Sequence, residues 1–134
     1  MKKILVTGCL GFIGFHLTQK LNTKNNLKVY GIDNINNYYD KRHKVERYKV
    51  LRKGSDSFNF TKLDITNYNK LKNFFNKNKF DVVIHLAAQA GVRYSIENPK
   101  TYLENNINGF FYVLDLSRNT NVKHLLFAST SSVY

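Results

Sequence analysis

Short apolar runs rich in Ile, Val and Phe alternate along the chain with stretches whose apolar residues recur every three or four positions. That alternation predicts βαβ units and a parallel sheet. Residues 3–7 form the first strand, and because Ile4, Leu5 and Val6 are consecutive rather than alternating with polar residues, both of its faces should be buried. A helix follows over 12–21, with Ile13, Leu17 and Leu21 on one face. The second strand spans 28–33 and leads through a polar loop, 34–40, into a segment where Val45, Tyr48 and Leu51 recur at helical spacing among Lys41, Arg42, Lys44, Arg47 and Lys49. This segment should be a surface helix. A third strand is expected over 58–63, a helix carrying Leu71, Phe74 and Phe75 over 67–77, and a strongly apolar fourth strand over 81–86. A long loop, 87–98, then passes through Pro99, suited to a first helical turn, into a helix over 101–118, and a fifth strand over 123–129 completes the pattern.

Composition narrows the class. A chain of 134 residues, 43% hydrophobic, is one domain with too much apolar material for disorder, and its apolar runs are too finely interrupted for a membrane span. The apolar stretch behind Lys2 and Lys3 stops at Thr7 and Gly8, too early for a signal peptide, and no repeat or linker marks a second domain. The net charge of +12 comes from lysines spread over the whole length, which favours anionic partners without choosing among them; no nucleic-acid-binding motif accompanies it, so neither nucleic acid nor membrane is expected as a partner. The lone Cys9 excludes an intrachain disulfide framework and leaves no Cys cluster for zinc, so no metal site is expected and the cytoplasm is the expected compartment.

Thr7-Gly8-Cys9-Leu10-Gly11-Phe12-Ile13-Gly14 falls between the first strand and the first helix, where the pyrophosphate of a dinucleotide needs bare backbone N–H groups and a helix N-terminus. Gly8 allows the turn out of the strand, Gly11 lets the chain approach phosphate, and Gly14 lets the helix pack on the sheet. An acid, Asp33, ends the second strand 19 residues after Gly14. Its carboxylate can accept hydrogen bonds from both hydroxyls of an adenosine ribose and repel a 2′-phosphate, which favours NAD over NADP. The competing reading makes Asp33 a turn-forming residue ahead of Asn34.

The motifs TGxxGFIG, GIDN, IHLAAQ, NNINGF and ASTSSVY together resemble the extended short-chain dehydrogenase/reductase family and, within it, the NAD-dependent nucleotide-sugar epimerases and dehydratases. The stretches DNINNYYD and HLAAQAGVRYSIENP are similar to the UDP-glucuronate 4-epimerases, which supply galacturonate for surface polysaccharides. The resemblance implies an α/β, Rossmann-type doubly wound parallel sheet, truncated after about five strands, so that residues 1–134 would be the NAD-binding part of an enzyme whose sugar-binding C-terminal region lies outside the chain. It also implies site residues. Gly8, Gly11 and Gly14 with the Phe12 and Ile13 backbone would hold the pyrophosphate, Asp33 and Asn34 the adenosine ribose, and Asp64 and Ile65 would border the adenine. Leu86, Ala87 and Ala88 would lie against the nicotinamide half, faced by Asn105. Asp64-Ile65-Thr66 also reads as ordinary capping sequence, and Asn105 as a structural residue. Thr130 occupies the position of the catalytic Ser/Thr, with Ser131 and Ser132 as substrate neighbours, and Arg93 would meet a sugar carboxylate or diphosphate.

The family's chemistry further needs a Tyr-x-x-x-Lys pair after the VY stretch, whereas the chain stops at Tyr134; Tyr68 and Lys72 fit the spacing but precede the Ser/Thr motif on another element. The expectation is therefore an intact enzyme, homodimeric, that oxidises C4 of a UDP-sugar and returns the hydride to the other face, with the 134 residues alone inactive and prone to associate. Two alternatives stay open: a 4,6-dehydratase, disfavoured because Ser131 and Ser132 stand where an acid and a base are needed, and a non-catalytic NAD-binding module.

Overall fold

The computed structural model describes residues 1–133, except for the side chain of Ser131. Five parallel strands, β1 (Lys2–Thr7), β2 (Leu27–Asp33), β3 (Asn59–Lys62), β4 (Val82–His85) and β5 (His124–Phe127), lie in the order β3-β2-β1-β4-β5. The order reverses between β1 and β4, and open α/β sheets bind ligands at such a switch point, outside the carboxyl ends of the strands. Thr7 pairs in register with both Ile32 and His85, so the residues that follow, Gly8, Asp33 and Leu86, emerge side by side on that edge.

Because consecutive residues of a strand point to opposite faces, β1 feeds two cores. Leu5 joins Leu71 and Phe75 of α3 (Tyr68–Asn78) and Val113 and Leu116 of a later helix on one side; Ile4 and Val6 join Leu10, Phe58 and Leu51 of α2 (Lys41–Gly54) on the other. The consecutive apolar run of β1 is indeed buried on both faces. Each such side chain, closed to water, contributes about 1.5–3 kcal/mol. Asp40 starts α2 by accepting the Arg42 N–H, and Asn67 starts α3 by accepting that of Lys70, which explains why both helices begin where the polar loops end.

Three expectations need correction. Helix α1 (Phe12–Asn22) exists, but its core face is Gly14 and Thr18; Ile13 is 65% exposed, and Leu17 and Leu21 lie only part-way in. Close packing of Gly14 on the Gly8 carbonyl sets the rotation of the helix, overriding the apolar period. The stretch 87–98 is not loop throughout, since α4 (Val92–Glu97) forms inside it, starting at Gly91. The helix beyond Pro99 is not one regular helix: α5 (Pro99–Tyr102) and α6 (Phe110–Asn119) are joined by a π-helical segment, Leu103–Gly109. Such wide turns cluster at functional sites. No helix among the described residues is long and apolar enough to cross a membrane.

Candidate functional site

Helix α1 begins without a side-chain cap. Gly8 N–H is held by the Ile32 carbonyl and Gly11 N–H by the Gly8 carbonyl, while among the described residues no acceptor takes the N–H of Phe12, Ile13 or Gly14. Three unpaired amides at the positive end of an 11-residue helix make a cradle for an anion. Its shape depends on Gly8, whose φ of +68° suits glycine and whose missing Cβ would lie 2.8 Å from the Ala87 nitrogen. The side chains of Phe12 and Ile13 point into solvent, so only their backbone serves the cradle.

The cradle opens onto a cleft walled by Gly8 and Gly11, by Asp33 and Asn34 after β2, by Leu63 and Ile65 after β3, by residues Leu86 to Ala90 after β4, and by Asn105. Asp33 is buried within it. Its Oδ2 accepts the Leu10 N–H at 3.2 Å, and its Oδ1 accepts the Ile35 N–H at 2.9 Å and the Lys44 ammonium at 2.8 Å. Asp33 is thus both the turn-forming residue and a carboxylate facing the cleft. Asn34 donates to Asp64 at 3.1 Å. Asp64 itself does not line the cleft: its carboxylate accepts the Thr66 N–H and hydroxyl, as capping sequence does. Burial pushes its pKa up, but the hydrogen bonds from Thr66 and Asn34 outweigh that and hold it below the ordinary carboxylate value. Asn105 lines the cleft while donating to the Thr101 carbonyl.

A second cavity adjoins the first across Leu86–Ala90 and is closed by His85, Phe110, Phe127 and Thr130. Thr7 Oγ1 accepts the Ala87 N–H at 3.1 Å, shares that of Leu86 with the Thr7 carbonyl, and pairs with His85 Nδ1, 2.7 Å away. Burial pushes the pKa of His85 down to about 4, so its ring is neutral near pH 7. The side chain of Asn106, in the π-helical segment, accepts the Gln89 N–H at 2.7 Å and donates to the Gln89 carbonyl at 2.9 Å, fixing the wall shared by both cavities. Thr130 Oγ1 accepts the Ser132 N–H at 3.2 Å, and Ser132 lines neither cavity. The side chain of Ser131 lies outside the described residues. Arg93 is exposed on α4 and lines neither cavity; Tyr68 and Lys72 sit on α3, also away from both.

Sequence reasoning missed Tyr38, Tyr39, Lys44, Gln89 and Asn106. The signal was present in DNINNYYD, IHLAAQ and NNINGF, but no spacing rule says which side chains of such stretches turn toward a cleft. Cys9 is buried and free, and burial pushes its thiol far above its ordinary pKa, which suits a packing residue.

A glycine-rich turn between the first strand and helix, an acid at the end of the second strand, and a cleft at the switch point define a Rossmann-type nucleotide-binding unit. Residues 5–134 match the family model described as GDP-mannose 4,6 dehydratase, and the chain belongs to this family of extended short-chain dehydrogenase/reductases. It is 49% identical over 132 residues to the protein CapI of Staphylococcus aureus, covering 98% of this chain and 39% of that protein. It is 46% identical over 130 residues to the UDP-glucuronate 4-epimerase of Thermodesulfobacterium geofontis, covering 97% and 40%. Among solved structures it resembles the UDP-glucuronic acid 4-epimerase of Bacillus cereus in complex with UDP-glucuronic acid and NAD, with a TM-score of 0.88 and 36% identity over 98% of this chain and 41% of that one. The chain spans about two fifths of the length of the curated relatives it matches.

Proposed function

We propose that the chain is the dinucleotide-binding portion of an NAD-dependent UDP-sugar 4-epimerase, acting in the cytoplasm on UDP-glucuronate. The observation that carries this reading is the shared cleft: Gly8 and Gly11 of the turn that leads into the free amides of α1, the carboxylate of Asp33 and the small residues Ala87 and Ala88 border one crevice, which adjoins the cavity holding Thr130. The residues fit NAD. A diphosphate would accept from the free amides, a ribose would donate to Asp33, and Ala87 and Ala88 leave room for a flat ring. When bound, NAD accepts and returns the C4 hydride. The chain's own part is to hold the diphosphate and ribose, to keep Leu86–Ala87 in place through the Thr7 hydroxyl, and to present the Thr130 hydroxyl to the sugar oxygen on which charge develops.

Ser131 and Ser132, where a dehydratase would need an acid and a base, favour epimerisation over elimination. The names of the relatives point the same way. In the intact enzyme a second copy would cover Leu103, Ile107, Phe111 and Leu114, an exposed apolar stripe along one face of the segment from α5 to α6. The gene itself offers a test. A Tyr-x-x-x-Lys pair encoded soon after the codon for Tyr134 supports the epimerase, and a stop codon there leaves dinucleotide binding as the whole activity.

A further inference from the structure

The two long walls of the cleft follow β2 and β4, which are not neighbours in the sheet because β1 lies between them. Aromatic side chains beyond the strand ends join them directly. Tyr38, in the loop after β2, packs against Tyr94 of α4 with ring centroids 4.8 Å apart, and Tyr94 packs on Tyr102 of α5 at 6.1 Å. The Tyr102 hydroxyl donates to the Ala90 carbonyl at 2.7 Å and also reaches the Gly91 carbonyl. Gly91 has a φ of +101°, and a side chain there would collide with the Tyr38 hydroxyl. Tyr38 and its neighbour Tyr39, edge-to-face with ring centroids 4.5 Å apart, line the same cleft as Gly8, Gly11 and Asp33; Tyr94 and Tyr102 stand behind it.

A ligand running from Asp33 toward Ala88 therefore shares the cleft with Tyr38, whose ring is held from behind by Tyr94. We infer that Tyr38, Tyr94 and Tyr102 form an aromatic strap across the mouth of the cleft, and that its opening sets the rate at which a bound dinucleotide leaves. The inference rests on the dinucleotide reading above and adds to it. An enzyme that takes a hydride from its substrate and gives it back has no need to exchange the coenzyme at each turnover, and a strap of this kind keeps the coenzyme in place. Tyr94 acts as a positioning residue: it touches Tyr38 rather than the crevice.

The test compares the wild-type chain with Tyr94→Ala and, from the opposite side of the contact, Gly91→Ala. Dissociation of a fluorescent etheno-NAD is followed by displacement with excess NAD, amide hydrogen exchange of residues 34–40 is followed without ligand, and the urea midpoint reports the fold. Tyr94→Ala removes two aromatic contacts, so dissociation and exchange should both rise about tenfold. Gly91→Ala, which displaces the Tyr38 ring, should do the same. Unchanged dissociation in both variants, or faster exchange without faster dissociation, overturns the strap while leaving NAD binding intact. A wild-type chain that binds no NAD overturns the functional reading and the strap together. Should Tyr94→Ala fail to fold, Gly91→Ala decides alone.

Discussion

Asp33 and Lys44 form an ion pair of 2.8 Å in which the carboxylate side chain is 3% and the lysine side chain 13% exposed. Both residues line the cleft, and the pair ties helix α2 to the end of β2. Removing one partner of a buried pair strands the other charge. Asp33→Asn also weakens the acceptor of the Leu10 and Ile35 amides, so it should cost about 2–4 kcal/mol by urea unfolding, and Lys44→Met somewhat less. Asp33→Asn should also lower the preference for NAD over NADP about tenfold, since the charge that repels a 2′-phosphate is gone. An unchanged preference would remove Asp33 from coenzyme selection.

Gly14 packs on the Gly8 carbonyl with no space for a methyl group. Gly14→Ala should therefore push α1 off the loop, destabilise the chain by about 1–3 kcal/mol and abolish dinucleotide binding. Gly54 is the control, because nothing lies within 4 Å of the position its Cβ would take, and Gly54→Ala should leave binding as it is. Equal effects of the two substitutions would contradict the packing argument.

His85 supplies a pH dependence of known sign. Its pKa is about 4 in the fold, lowered from 6.5 by burial, so between these values the unfolded chain binds a proton that the folded chain does not. The corresponding stability is fully present above pH 6.5 and is lost as the pH falls toward 4. The loss amounts to roughly 3 kcal/mol in all. Urea unfolding at a series of pH values should show this slope in the wild type and not in His85→Gln; a slope that survives the substitution would assign it to other groups.

The stripe Leu103, Ile107, Phe111 and Leu114 should hold two chains together at micromolar concentration, and Phe111→Glu should separate them by placing a charge at its centre. Sedimentation velocity reads this directly. A wild-type monomer, or a variant that still associates, would show that the stripe is not the contact.

What the sequence makes legible is what lies close together along the chain. Gly8, Gly11, Gly14 and Asp33 stand at spacings that a strand, a turn, a helix and a second strand impose; Gly8, Gly11 and Asp33 line the cleft, and Gly14 packs on the Gly8 carbonyl. The consecutive apolar residues of β1 announce a strand buried on both faces, and the parallel sheet follows. The rotation of α1 is not legible from apolar period, because a glycine contact fixes it and leaves Ile13 in solvent. Helix α4 has only six residues, too few to establish a period, and the extra residue that widens the π-helical turn has no compositional mark. Lys44, Tyr38 and Asn106 escape notice for another reason. Their roles arise from loops and helices folding over the cleft, and local spacing carries no record of that.

The central claim is that the amides at the start of α1 and the carboxylate of Asp33 together grip a dinucleotide. Titration of the isotopically labelled chain with NAD, followed by amide resonances, tests it residue by residue. Saturable shifts concentrated at residues 8–14, 33–35 and 86–90 are predicted. Absence of saturable binding, or shifts confined to surfaces away from these three segments, would contradict it.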